Sequence, residues 1–543
     1  MSRILGPEEG GKVTNEPFLV EELLIVLGGS ADPERFGSAF YLYRRIYSDG
    51  SSKNVVFDCG AELYDDVEND ATGKEVKVKR VRGGNFDYLK ENNITVHAVV
   101  ISHGHLDHVG MVAKLKRYLA PGALIWASPQ THDIFHDLCW ETLKFSPGTF
   151  TYFEVLDVTS KRRRAILVPG ENEILPGLII FAGPNGHVPG SAFFIVGNAL
   201  LLNDFCIHDQ PVVTGARPFS QCVPEEWRRK VKKVPVTDLT YGNASRKNWV
   251  EQLILFEAWI DGIHARGGKA IVPAFRFGRE QNLALELARD GFEVVVDGGG
   301  RSTFLSFLRH RWSPNDQNDF SFKNISFVYS KRVMHELEDE AAAAEACGKI
   351  GLAGELRQLS LRLITRDELA SSTRPVVILT TAGMGDGGPF GYYAQRSLGN
   401  PKDGIARVGF CSPGTTMDRI IKAKKSGERV IIPVDDEIDD LGNAVNFAEF
   451  SVECDVGEFS FSAHGDLEDS AAYLADLVAA NGMKFELIGL AHGSRESKEN
   501  GRRRFADLVE SKTGLVDCEP NTVIRLYCLQ KNEASSRGRH FYF

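Results

Sequence analysis

The sequence predicts an α/β protein in which one strand-rich unit is interrupted by a second α/β unit. Three observations predict it. A short apolar run rich in β-branched residues, Val96 to Ile101, leads straight into His103, His105, Asp107 and His108. From about 243 to 442, strand-like and helix-like stretches alternate, as expected of a separate unit with a parallel sheet. From 443 onward the chain again reads as strands and loops that end in histidine, at His464 and His492. The expected partition is a polar tail at 1–17, the first part of the host unit at 18–242, the insert at 243–442 and the second part of the host at 443–543.

In chain order, Leu19 to Gly28, Phe40 to Ile46 and Asn54 to Phe57 read as strands, and the third ends in Asp58-Cys59-Gly60. A carboxylate at a strand end before glycine suits a group that orients a metal ligand without binding the ion itself. In an extended loop, residues two apart point to the same side, so His103 and His105 can grip one ion together. A helix is expected from Val109 to Leu119, which turns Asp107 and His108 toward a second ion. Imidazole and carboxylate are ligands suited to zinc. The helix expected at Thr131 to Leu143 carries His132 and His136 four apart, a pair read as structural because better ligands lie elsewhere.

Further on, Leu178 to Phe181 leads to His187 in a glycine-rich loop, where a side chain can approach a metal without crowding. The strand Ala199 to Asn203 ends at Asp204, whose two oxygens could bridge two ions. This set places His103, His105 and His187 on one zinc, Asp107 and His108 on the other, and Asp204 between them. His208 is read as structural or as a group that orients a ligand from behind. In the insert, the turn carrying Ser412, Gly414 and Thr415 offers backbone N–H groups to a phosphate. Phe275, Arg276, Arg279, Tyr392 and Tyr393 read first as core or surface residues, with base stacking or phosphate contact as the rival.

Composition sets the class. With 43% hydrophobic and 25% charged residues, the chain is a well-cored globular protein. No apolar run reaches membrane-spanning length and the N-terminus is too polar for a signal peptide, so a cytoplasmic protein without a membrane partner is expected. Nine scattered cysteines without a CxxC pair read as reduced thiols. A net charge of −10 argues against a nonspecific nucleic-acid coat but leaves room for a basic groove. The basic clusters, such as Lys161 to Arg164 and Arg502 to Arg504, read as solvated faces.

The motifs form an ordered series: VVFDCG, SHGHLDH, GHVPGSA, LLLNDF, DLTYG, FSAHGD and LAHGS. The series resembles the β-CASP branch of the metallo-β-lactamase superfamily, across about residues 20 to 510. The resemblance implies a metallo-β-lactamase αββα sandwich with an inserted α/β β-CASP domain capping the active site. It also implies that Asp238 is the acid after a strand, although DLTYG departs from the family's E-S-T-Y-G-like wording. His464 matches the second β-CASP motif. His492 matches the third, and would complete the second zinc site with Asp107, His108 and Asp204. A histidine at that third motif accompanies RNA-processing members.

The implied activity is a zinc-dependent ribonuclease that hydrolyses phosphodiester bonds of single-stranded RNA with a two-zinc-activated hydroxide. Asp107, Asp238 and His464 are its expected catalytic groups, His464 being the general acid held by Asp238. Endonucleolytic and 5′→3′ exonucleolytic cutting both stay open, as does a protein partner or homodimer. Three rivals remain. His492 weighs against a DNA nuclease of the same fold. The insert and its motifs weigh against a small-molecule metallohydrolase. The full ligand set weighs against a non-catalytic RNA-processing scaffold.

Overall fold

The computed structural model describes residues 17–30, 37–69, 75–317, 320–434 and 446–529. The expected tail at 1–17 lies outside them except for Pro17.

Alternating side chains build the host unit. In the strand Ser52–Cys59, Val55 and Phe57 join one buried cluster while Val56 and Cys59 join another on the opposite face. The first cluster also takes Leu178, Ile180, Phe194 and Leu201 from a second sheet, so the two sheets pack face to face. Helices cover the outer faces. Phe135 and Val155 pack on the first sheet, and Trp227, Leu474 and Phe505 on the second. Each sheet has seven strands. The strands Leu19–Val26 and Val523–Cys528, from opposite ends of the chain, pair in the first sheet. This is the expected αββα sandwich, closed by both halves of the host.

The insert has its own six-stranded sheet, parallel in every pairing: Ile325–Phe327, Val294–Asp297, Val377–Thr380, Ala270–Pro273, Gly404–Arg407 and Asp455–Glu458 in spatial order. Its strands are buried almost throughout, as a parallel sheet between helical layers requires. The boundary expected at 442 falls before Phe447–Phe450 and Asp455–Glu458, whose ladders lie with the insert's strands. Residues 435–445 lie outside the described set.

The helix expected at Val109 to Leu119 takes another form. A helical turn at Leu106–Val109 is followed by a 3₁₀ helix at Val112–Arg117. A side chain on Gly60 would begin 1.6 Å from the Asp107 carbonyl oxygen. The DCG motif is therefore the seat for the backbone of Asp107. Among the described residues, no helix is long and apolar enough to cross a membrane.

Candidate metal centre

Most of the candidate residues follow the carboxyl ends of parallel strands, where ligands gather in α/β sheets, whereas His187 follows Leu178–Pro184, which is antiparallel to both its neighbours. Asp58 ends Ser52–Cys59, and His103 follows Val96–Val100, its parallel neighbour. On the second sheet, Asp204, Asp238 and His492 follow Ala199–Leu201, Lys233–Val236 and Leu487–Leu490, three adjacent parallel strands. The two sets of strand ends meet across the sandwich. Asp58, Asn203 and His492 all hold positive φ, at 52°, 57° and 47°. Such backbone is costly for residues with side chains and is kept where the surroundings over-determine it.

Two groups of side chains converge there. Donor atoms of His103, His105, His187 and Asp204 lie within 4.8 Å of one another, and so do those of Asp107, His108, Asp204 and His492. Asp204 stands between them with one oxygen toward each. Its Oδ2 lies 3.6 Å from His103 Nε2 and 3.7 Å from His187 Nε2. Its Oδ1 lies 3.3 Å from His108 Nε2 and 3.4 Å from His492 Nε2. His492 Nε2 is also 3.5 Å from Asp107 Oδ2.

The proton positions decide whether a cation fits. His187 Nδ1 donates to the Ala463 carbonyl at 2.8 Å, and His105 Nε2 to the Phe277 carbonyl at 3.2 Å. A neutral imidazole has one N–H, so His187 Nε2 and His105 Nδ1 both face inward as lone pairs. They are 3.0 Å apart, and His103 Nε2 is also 3.0 Å from His105 Nδ1. Burial pushes His103, His105 and His187 below the ordinary histidine value, so they remain neutral. In the other group, His108 Nδ1 donates to Asp58 Oδ2 at 2.8 Å. Its Nε2 and Asp204 Oδ1 are buried without a hydrogen-bond partner. Burial opposes charge on His108, but Asp204 and Asp58 outweigh it and raise the imidazole well above its ordinary value. Inward lone pairs and orphaned buried atoms around a carboxylate fit a metal-binding site.

A third group borders the centre, the donor atoms of Asp204, Asp238 and His464 also lying within 4.8 Å of one another. His464 Nδ1 is 2.9 Å from Asp238 Oδ2 and 4.0 Å from Asp204 Oδ2. Burial works against its charge, but Asp238 and then Asp204 outweigh it and raise the imidazole to about 9.

The structure thus gathers His103, His105, Asp107, His108, His187, Asp204, Asp238, His464 and His492, with Asp58 behind His108. It leaves others apart. His132 donates to the Ala165 carbonyl, and His136 faces Asp137 from an exposed position. His208 pairs with Asp469. The phosphate turn departs from its expected form. The Gly414 N–H donates to Asp418, that of Thr415 to the Ser412 carbonyl and that of Thr416 to Asp386. Those donors are already used, because the turn caps the helix Thr416–Ser426 that follows it. Arg276 is held by Asp137 and Glu141, Arg279 by the Val408 carbonyl and Tyr393 by Asp297.

Two contributors escaped the sequence reading. The Ser102 hydroxyl donates to Asp58 Oδ2 at 2.7 Å and lies 3.1 Å from His103 Nδ1. Its place directly before His103 was the available signal. The other is the Phe277 carbonyl, and a backbone oxygen gives no signal at all.

A family model for the metallo-beta-lactamase superfamily matches residues 34–138. The chain is 24% identical over 354 residues to "Transcription termination factor FttA" of Methanosarcina mazei, which covers 61% of this chain and 50% of that protein. It is 22% identical over 368 residues to "Probable RNase MJ4" of Methanocaldococcus jannaschii (66% of this chain, 73% of that one). It is 23% identical over 365 residues to "Ribonuclease TTHA0252" of Thermus thermophilus (64% and 75%). The chain thus spans about half the length of the termination factor it matches. A crystal structure of a protein of unknown function from Enterococcus faecalis V583 shares the fold, with a TM-score of 0.51 at 11% identity over 93% of this chain and 100% of that one. With this sandwich and this ordered set of strand-end motifs, the chain carries a metallo-beta-lactamase superfamily domain and is similar to proteins named ribonucleases and transcription termination factors.

Proposed function

We propose that the chain is a zinc-dependent ribonuclease acting on single-stranded RNA. The observation that supports it best is Asp204, which directs one oxygen toward His103 and His187 and the other toward His108 and His492. On this reading His103, His105, His187 and Asp204 hold one zinc ion, and Asp107, His108, Asp204 and His492 the other. When bound, two such ions supply a nucleophilic water near neutral pH and neutralise phosphate charge. The protein's own groups do the rest. Asp58 fixes the tautomer of His108, and the Ala463 and Phe277 carbonyls fix those of His187 and His105. Asp238 holds Nδ1 of His464, which leaves Nε2 to deliver a proton to the departing O3′. RNA is the favoured polymer because relatives 22% and 23% identical to the chain are named ribonucleases and the third β-CASP motif carries His492.

The test is cleavage of 5′-labelled and 3′-labelled single-stranded RNA beside the matching DNA, with and without chelator. Chelator-sensitive cutting of RNA is expected, and the fragment ladder separates internal from end-directed cutting. A metal-loaded protein that cuts neither polymer, or cuts DNA in preference, would overturn the proposal.

A further inference from the structure

The two halves of the metal centre are supported by different parts of the chain. Asp58 and Ser102 stand behind His108, and the Asp107 carbonyl accepts from the Ala39 N–H at 2.8 Å. All three belong to the host. The half holding His103, His105 and His187 instead leans on the insert. Phe277, after the insert's strand Ala270–Pro273, gives its carbonyl to His105. Val188, beside His187, packs in one buried cluster with Phe277 and Phe307.

A chain of two side-chain amides extends this support to His187. The loop around it is intrinsically loose, since Gly186 and Gly190 sit at φ of 72° and 80°. Gln210 clamps it, with Nε2 donating to the Gly186 and His187 carbonyls at 3.0 Å each. An amide can flip, and the flipped form would set an oxygen against two carbonyls. Asn282, on the insert's helix Arg279–Arg289, prevents the flip. Its Nδ2 donates to Gln210 Oε1 at 3.0 Å, so Nε2 must face the loop. Its own Oδ1 accepts from the Val212 N–H at 3.0 Å, which fixes Asn282 in turn. Both side chains are buried, Asn282 completely. Asp316 of the insert adds a third tie, accepting from the Gly190 N–H at 3.0 Å.

We infer that Asn282 is a positioning residue, acting through Gln210, for the His103, His105 and His187 half of the centre. Docking of the insert and tight loading of that half are then one event, whereas the Asp107, His108 and His492 half loads on the host's own scaffold. This rests on the reading that each half holds one zinc ion.

Zinc content of the purified full chain, measured by elemental mass spectrometry against graded chelator, tests it. Asn282→Asp keeps the volume and the acceptor for Val212, but replaces the donor facing Gln210 with an oxygen. It therefore separates the hydrogen bond from packing. Asn282→Ala is the companion in case the buried carboxylate unfolds the chain. Wild type is expected to hold two equivalents. In the variants one equivalent is released at roughly 10–100-fold lower chelator, the usual penalty for losing support behind a ligand. The other stays in place and excess zinc refills the lost one, which an unfolded protein would not allow. In a His105→Ala background, where that half is already lost, Asn282→Asp should change nothing further. Retention of both equivalents in both variants would overturn the inference, as would loss of both together. Fewer than two equivalents in wild type would overturn the two-ion reading itself, and this inference with it.

Discussion

His464 Nδ1 and Asp238 Oδ2 face each other at 2.9 Å, and with Asp204 they form a third group of converging donor atoms beside the two larger ones. On the proposed reading this pair handles a proton and holds no metal. His464→Ala is therefore expected to retain the wild-type zinc content while RNA cleavage falls by roughly 10²–10⁴-fold. Zinc analysis and single-turnover cleavage on one preparation check this. Loss of zinc would make His464 a ligand instead.

Asp204 stands at the junction of both groups, with Oδ1 buried and without a hydrogen-bond partner. Asp204→Ala should lose zinc and cleavage together. A variant that kept full activity would remove Asp204 from the centre.

Asp58 touches His108 and Ser102 but is not in either ligand group. Asp58→Asn keeps the shape and removes the charge that orients His108. The expected result is zinc affinity weakened by roughly 10–100-fold, with cleavage restored by added zinc. Competition with a chromogenic chelator measures the affinity, and unchanged affinity would assign Asp58 a purely structural role.

The helix Pro129–Phe145 carries Asp133, Asp137 and Glu141 four residues apart, on one face. They grip the insert. Asp133 accepts from Ser306, Arg309 and His310, while Arg276 reaches Asp137 and Glu141. Burial opposes charge on Asp137, but His136 and Arg276 lower its carboxyl to about 2. A depressed carboxylate contributes stability above its unfolded value and loses it as pH falls through the folded value. Arg276→Gln should therefore cost more than the ~1 kcal/mol of an exposed pair, and less than the ~3–5 kcal/mol of a fully buried one. That cost should shrink as pH drops from about 4 toward about 2. Denaturant unfolding of both proteins across this range would show it, and a constant difference would exclude the ion pair as the cause.

The candidate metal ligands are readable because each is a distinctive residue type after a strand with a recognisable pattern. HxHxDH, the glycine-rich loop at His187 and the acid at Asp204 each announce themselves locally. The pattern from Val109 to Leu119 is apolar enough for a regular helix, but the chain forms a helical turn and then a 3₁₀ helix there. The turn at Ser412 to Thr415 reads in the sequence as offering free donors, but the Gly414 N–H goes to Asp418 and that of Thr415 to the Ser412 carbonyl. Composition cannot reveal such pairing.

By itself the sequence determined the two-part α/β architecture and the chemical types around the centre, because hydrophobic periodicity and ligand identity are local properties. Only the tertiary structure decided which ring nitrogen of each histidine faces inward, since a backbone carbonyl such as that of Phe277 or Ala463 sets the tautomer and every residue carries one. It also decided that the insert reaches His105 directly and His187 through Asn282 and Gln210. Those contacts join residues 172 and 72 positions apart. They exist only once burial has brought the two sheets' ends and the insert together.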